Sequence, residues 1–273
     1  MRRVMVQWGS VALTGVMTIA AMVAGTAVAE SISTYTAGHA DIGVGYLAAE
    51  KAFDPHWHTH AGAVVDGVTT TVDGEYEPAT MMAQTWARRP TPSGGGGLAA
   101  LLGVPDGTIV SAMGSTTFQP NLGFGTEELD PLAWTTPITI RFNPLASTLP
   151  GGSAFGLYTT NAAGTIVVDR FFSTVSAAAT DSDNTLSLNA GDHSHYQWAF
   201  TQPGIYDLNF SWTGTHVTDG PISTSATFRV QAVPEPSTIV MLGLAGGATL
   251  TTLLRRRLRR RLRRGTVQRP PAA

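Results

Sequence analysis

The sequence predicts a mainly β fold: an antiparallel β-sandwich-like body of roughly 200 residues, set between two apolar terminal segments. Three observations predict it. Apolar and polar residues alternate through the middle of the chain, bounded by Gly, Pro and Asn turn signals. Convincing helical periodicity is nearly absent there. The middle is rich in Thr, Ser, Gly and Ala and the chain has no cysteine, so a hydrophobic core rather than disulfides must hold it. The lack of cysteine also excludes thiol catalysis and sulfur-ligated zinc.

The strands follow in order. Residues 137–142 put Ile138 and Ile140 on one face. Residues 154–160 and 165–172 read as two strands joined at Asn161-Ala162-Ala163-Gly164, and Leu186 with Leu188 marks another. The sharpest expected hairpin runs from 193–200 through Thr201-Gln202-Pro203-Gly204 into 205–213. Its second arm alternates Tyr206, Leu208, Phe210 and Trp212 against Asp207, Asn209 and Ser211, the pattern of a half-buried strand. Residues 226–230 close the body. An irregular insertion is expected around 75–130. Within it, 76–87 reads as including a short helix and 89–97 as a Pro/Gly loop. Residues 98–102 read as a helical turn before a strand near 108–112.

The ends address the protein. Residues 1–29 have the three parts of a secretory signal peptide. Arg2 and Arg3 precede an apolar run over 11–23, and Ala27 and Ala29 supply the small residues for cleavage before Glu30. The exported body spans 30–232. Pro234-Glu235-Pro236 then leads into an uncharged apolar stretch, 237–254, which as a helix would reach about 27 Å and read as one transmembrane helix. An arginine-rich end, 255–264, follows and includes Arg255, Arg256, Arg257, Arg259, Arg260 and Arg261. Such a cluster holds its end in the cytoplasm and so places the body outside the inner membrane. Residues 265–273 read as a disordered tail. The implied partners are the secretion machinery, signal peptidase and the inner membrane, as a transient or retained anchor.

From Glu30 to Glu235, six basic residues face nineteen acidic ones. Such a body repels nucleic acid, excluding it as a partner, and attracts cations.

All seven histidines lie in this body, and five fall in two clusters: His56-Trp57-His58-Thr59-His60 and His193-Ser194-His195. A strand puts alternate residues on one face, so each cluster presents imidazoles side by side. Tyr196, Trp198 and Phe200 take the face expected to be core, leaving His193 and His195 on the other. His39-Ala40-Asp41 offers another pair at the same spacing. Neutral imidazole ligates zinc and other divalent transition metals, and His-X-His suits two ligands on one ion. The competing reading is a polar, hydrogen-bonding surface, and spacing alone does not bring the two clusters together. Trp57, Trp198 and Trp212 read as core aromatics rather than a sugar-stacking platform.

No hydrolytic signature is present: no Gly-X-Ser-X-Gly, no His-Glu-X-X-His and no phosphate loop. Asp181-Ser182-Asp183-Asn184 lacks the Gly and Glu of a calcium loop and reads as a polar turn. Glu127, Glu128 and Asp130 read as a solvated acidic loop rather than an acid–base pair. No catalytic residue is assigned. The expected function is that of a non-catalytic, exported cell-surface or matrix protein that binds a divalent metal through clustered histidines. The alternative is a metal-dependent hydrolase of the envelope or extracellular polymer.

Two resemblances extend this reading. Pro234-Glu235-Pro236, the apolar stretch and the arginine end resemble the PEP-CTERM sorting signal over about the last 35 residues. That resemblance implies recognition by an exosortase near the motif, and a final place at the cell surface or outside the cell, where extracellular polysaccharide is a candidate partner. The run from Gly191-Asp192-His193-Ser194-His195 through Trp198-Ala199-Phe200 to Pro203-Gly204-Ile205-Tyr206 resembles bacterial surface-anchored repeat domains. Gly38-His39-Ala40-Asp41-Ile42 and Gly123-Phe124-Gly125-Thr126-Glu127-Glu128 resemble segments of the choice-of-anchor M class. These imply an exported, surface-associated body and carry over no catalytic residues.

Overall fold

The architecture is that of a computed structural model describing residues 31–91, 97–114, 120–160, 166–173 and 184–234. The signal peptide with Ala27 and Ala29, the Asn161–Gly164 turn, Asp181 to Asp183, Glu235 and Pro236 lie outside the described residues. So do the apolar stretch 237–254, the arginine-rich end and the tail. Among the described residues, no helix is long and apolar enough to cross a membrane.

The protein is mainly β. In chain order the strands are β1 (Ser33–Leu47), β2 (Ala52–Thr59), β3 (Val64–Val65), β4 (Val68–Thr69), β5 (Gly74–Tyr76), β6 (Met81–Thr85) and β7 (Arg88–Pro90). One short helix, α1 (Gly97–Leu102), follows. Then come β8 (Ile109–Met113), β9 (Pro120–Gly125), β10 (Ile138–Phe142), β11 (Phe155–Thr160), β12 (Ile166–Ser173), β13 (Thr185–Leu188), β14 (His193–His195), β15 (Gln197–Phe200), β16 (Gly204–His216) and β17 (Gly220–Ala232).

They form two sheets. The larger runs β13-β10-β16-β17-β6-β1-β2-β5, with β9 also on β1, β14 on β9, and the β3–β4 pair on β1. The smaller runs β12-β11-β15-β8-β7. One core joins them. Trp198 of the smaller sheet stacks on Phe124 of the larger at 5.6 Å and meets Phe210 edge-on at 6.3 Å. Phe155 meets Phe142 across the same gap at 5.4 Å. All five rings are fully buried, and the arrangement is consistent with a β-sandwich.

β1 serves both ends of the larger sheet because it bends. Its first residues pair with β6 and its later ones with β2 and β9, and the register slips between Tyr35 and Ala37. Gly38 sits at the bend with φ +86°, and a Cβ there would lie 2.6 Å from the Ala63 Cα. Both the backbone angle and the close approach require glycine.

Several expectations are corrected. The sheets are not purely antiparallel: β1–β6, β6–β17 and β1–β9 are parallel pairs. Residues 76–87 form no helix, since Met81, Ala83 and Thr85 alternate inward on a strand between β1 and β17. The stretch 75–130 is therefore no insertion, because β6 and β9 are inner strands. The expected hairpin of 193–200 with 205–213 does not form. Residues 193–200 split at Tyr196 into β14 on β9 and β15 between β11 and β8. The cause is double burial. Trp198 and Phe200 face the inter-sheet core while Ala199 packs under Leu98 and Leu102 of α1, so β15 cannot lie beside β16. The Pro203-Gly204 turn is instead a corner between sheets, closed by the Tyr206 hydroxyl donating to the Gln202 carbonyl at 2.8 Å. The real hairpin joins β16 to β17 in continuous register from Gly204↔Ala232 to His216↔Gly220. The turn near residue 100, the strand near 108–112 and the inward aromatic face of β16 are found as expected.

Candidate metal centre

Four neighbouring strands, β2-β1-β9-β14, carry the site, and their register does the assembling. His58 pairs with Asp41, Asp41 with Gly123, and Gly123 with His195, giving one row across the sheet. One step along, His56 pairs with Gly43, and Gly125 with His193. On the other side His60 donates its backbone N–H to the His39 carbonyl. Alternation puts all of these on one face, while Ala40, Ile42, Val44, Trp57, Leu122 and Phe124 fill the core on the other.

Glycine clears the floor between the ligands. A Cβ at Gly123 would collide with Asp41 Oδ1 and lie 3.1 Å from His195 Nδ1. A Cβ at Gly43 would come within 2.9 Å of His56 Nε2. The imidazoles lean over these gaps in a chain of contacts. His58 stacks on His60 at 4.6 Å, His60 on His39 at 3.9 Å, and His39 meets His195 at 4.4 Å and His193 at 5.6 Å.

Asp41 lies at the centre and is wholly buried. Its Oδ2 is 3.0 Å from His39 Nε2 and 3.1 Å from His60 Nε2. Its Oδ1 has no hydrogen-bond partner. Burial by itself would raise the Asp41 carboxyl. The hydrogen bonds from His39 and His60 and the charge of the nearby imidazoles outweigh that and hold it below the ordinary carboxylate value. The hydrogen bond to Asp41 raises His39, more than burial lowers it. His195 goes the other way, because burial lowers it against the pull of Asp41. His195 Nδ1 is buried without a hydrogen-bond partner and, like Asp41 Oδ1, borders the gap over Gly123.

Two further carboxylates close the rim. Glu127 Oε1 is 2.7 Å from His193 Nδ1, and its Oε2 is 3.6 Å from His60 Nε2. Glu128 Oε1 is 2.9 Å from His56 Nε2 and 3.6 Å from His58 Nδ1. Thr126 aims this pair. It is fully buried, and its hydroxyl donates to the Asn189 carbonyl at 2.6 Å, fixing the end of β9 to the loop before β14.

The structure thus brings together every residue predicted as a metal ligand: His39, Asp41, His56, His58, His60, His193 and His195. Four overlapping groups have ligand atoms all within 4.8 Å of one another: His39/His193/His195, His39/Asp41/His60, His56/His58/Glu128 and His58/His60/Asp73. These groupings could hold a metal ion. Sequence reasoning missed Glu127, Glu128 and Asp73. Glu127 and Glu128 face the imidazoles rather than forming a solvated loop, and Gly123, Gly125 and Glu127 at alternate positions were the available signal. Asp130 lies elsewhere, accepting from the Leu132 N–H at 2.9 Å. Pro234 is exposed just past β17, and the other sorting and cleavage residues lie outside the described residues.

Comparison with known proteins finds no matching family model, curated protein or solved structure.

Proposed function

We propose that this protein is an exported, exosortase-sorted surface or matrix protein whose β body captures a divalent transition metal without catalysing a reaction. One observation carries the metal reading: two histidine clusters more than 130 residues apart meet over a buried carboxylate that has an unpartnered oxygen. A buried charged acceptor without a partner costs about 1–3 kcal/mol or more. A cation at Asp41 Oδ1 and His195 Nδ1 would remove that cost. The donor set is nitrogen and oxygen without sulfur, which suits zinc and its neighbours over calcium or magnesium. The acidic body adds a favourable field for cations.

Zinc at about 100 times its Kd should stabilise the protein by about 2.7 kcal/mol, raising its melting temperature by roughly 5–10 °C. The shift should vanish when His58→Ala and His193→Ala are combined. An unchanged shift in that variant would sink the metal reading. The sorting reading rests on Pro234-Glu235-Pro236 with the apolar and arginine-rich segments after it. Replacing the three residues by alanine should leave an unprocessed form in the inner membrane, and normal processing and release would refute it.

A further inference from the structure

We infer that the histidine face holds two metal positions, with Glu127 between them. The inference rests on the metal-binding reading above and adds a second site to it. The inner position is the one at Asp41 and His195, within reach of His39, His60 and His193. The outer position is formed by His56, His58 and Glu128.

Reach separates them. The triads His39/His193/His195 and His56/His58/Glu128 each gather their ligand atoms within 4.8 Å and share no residue. His56 and His60 are four residues apart along one strand line, about 13 Å between their Cα atoms, and their rings step past His58 at 6.2 Å and 4.6 Å rather than meeting. Zinc–nitrogen bonds are about 2.0–2.1 Å, so an ion held by His60 and Asp41 cannot also be held by His56. One transition-metal ion takes roughly four to six ligands, fewer than the side chains assembled here.

The outer group shows its own preparation. His56 is buried, and its Nδ1 lies 2.9 Å from the Asp54 carbonyl. A carbonyl only accepts, so Nδ1 donates, and Nε2, 2.9 Å from Glu128 Oε1, is the nitrogen turned to the outer position. An imidazole anchored through its far nitrogen is the usual arrangement of a metal-bound histidine. The floor is cleared here too, since a Cβ at Gly45 would lie 2.9 Å from Glu128 Oε2.

Glu127 spans the gap. One oxygen faces His193 of the inner group. The other, buried and without a hydrogen-bond partner, lies between the groups, 3.6 Å from His60 Nε2 of the inner one and 3.9 Å from His58 Nδ1 of the outer one.

The test counts ions. The full chain, purified in detergent and stripped with chelator, is dialysed to equilibrium against zinc, and bound metal is measured. Two equivalents per chain are expected. His56→Ala with Glu128→Gln should lose one, and Asp41→Asn with His195→Ala should lose the other, each retaining the wild-type circular dichroism. With two equivalents of cobalt(II), magnetic coupling should appear and be lost in Glu127→Gln. One equivalent in the wild type overturns the second position and leaves the metal reading standing. Zero equivalents overturns both. Coupling that persists in Glu127→Gln overturns the bridge. The wild-type count decides the matter even if a variant misfolds.

Discussion

Six of the seven histidines build the face proposed to bind metal, and the seventh, His216, sits with Asp219 in a cluster of similar composition and opposite character. Asp219 accepts from the Tyr46 hydroxyl at 2.7 Å and from Lys51 Nζ at 2.8 Å, and His216 Nδ1 lies 3.0 Å away. Both of its oxygens are used. These contacts tie the turn after β1 to the turn between β16 and β17, and Trp134 packs edge-on against His216 at 5.2 Å. Asp41 has two imidazoles on one oxygen and nothing on the other. A carboxylate with its partners complete is a latch. A buried one with a free oxygen, ringed by imidazoles, has an acceptor left over that a cation could take. Residue types alone do not distinguish the two, but the state of their hydrogen bonds does.

That contrast can be broken by exchanging one atom at each place. Asp41→Asn keeps the shape and removes the charge, so zinc affinity should fall by about 100-fold or more. Asp219→Asn should leave zinc affinity unchanged and lower the melting temperature by a few degrees, with or without metal. If Asp219→Asn weakened zinc binding as much as Asp41→Asn, the division between latch and metal face would fail. A smaller effect follows from pH. The hydrogen bonds from Lys51 and Tyr46 hold the Asp219 carboxyl at about 2, below its unfolded value. Its contribution is therefore complete above the ordinary carboxylate range and is lost as pH falls toward 2. In Asp219→Asn, thermal stability should fall less steeply between pH 4 and pH 2 than in the wild type.

Much of the site was legible because strand alternation is a strictly local rule. His56, His58 and His60 had to share a face, as did His193 and His195, and Trp57 and Trp198 had to oppose them. What alternation cannot supply is the partner of a strand. That β1 lies between β2 and β9 depends on a bend at Gly38 and on a parallel pairing between segments some eighty residues apart. The same limit explains the failed hairpin. Pro203-Gly204 marks a reversal, but α1 covering Ala199 decided which sheet received β15. Glu127 and Glu128 looked like loop acids because their role depends on Thr126 being pinned to the Asn189 carbonyl, a contact no spacing shows.

The most direct measurement is an anomalous difference map at the zinc edge from crystals grown with stoichiometric zinc. The expected result is a peak about 2.0–2.2 Å from Asp41 Oδ1 and from a ring nitrogen of His195, with further imidazoles from both clusters around it. A map with no peak on this face, or with zinc bound only at His216 and Asp219, would contradict it.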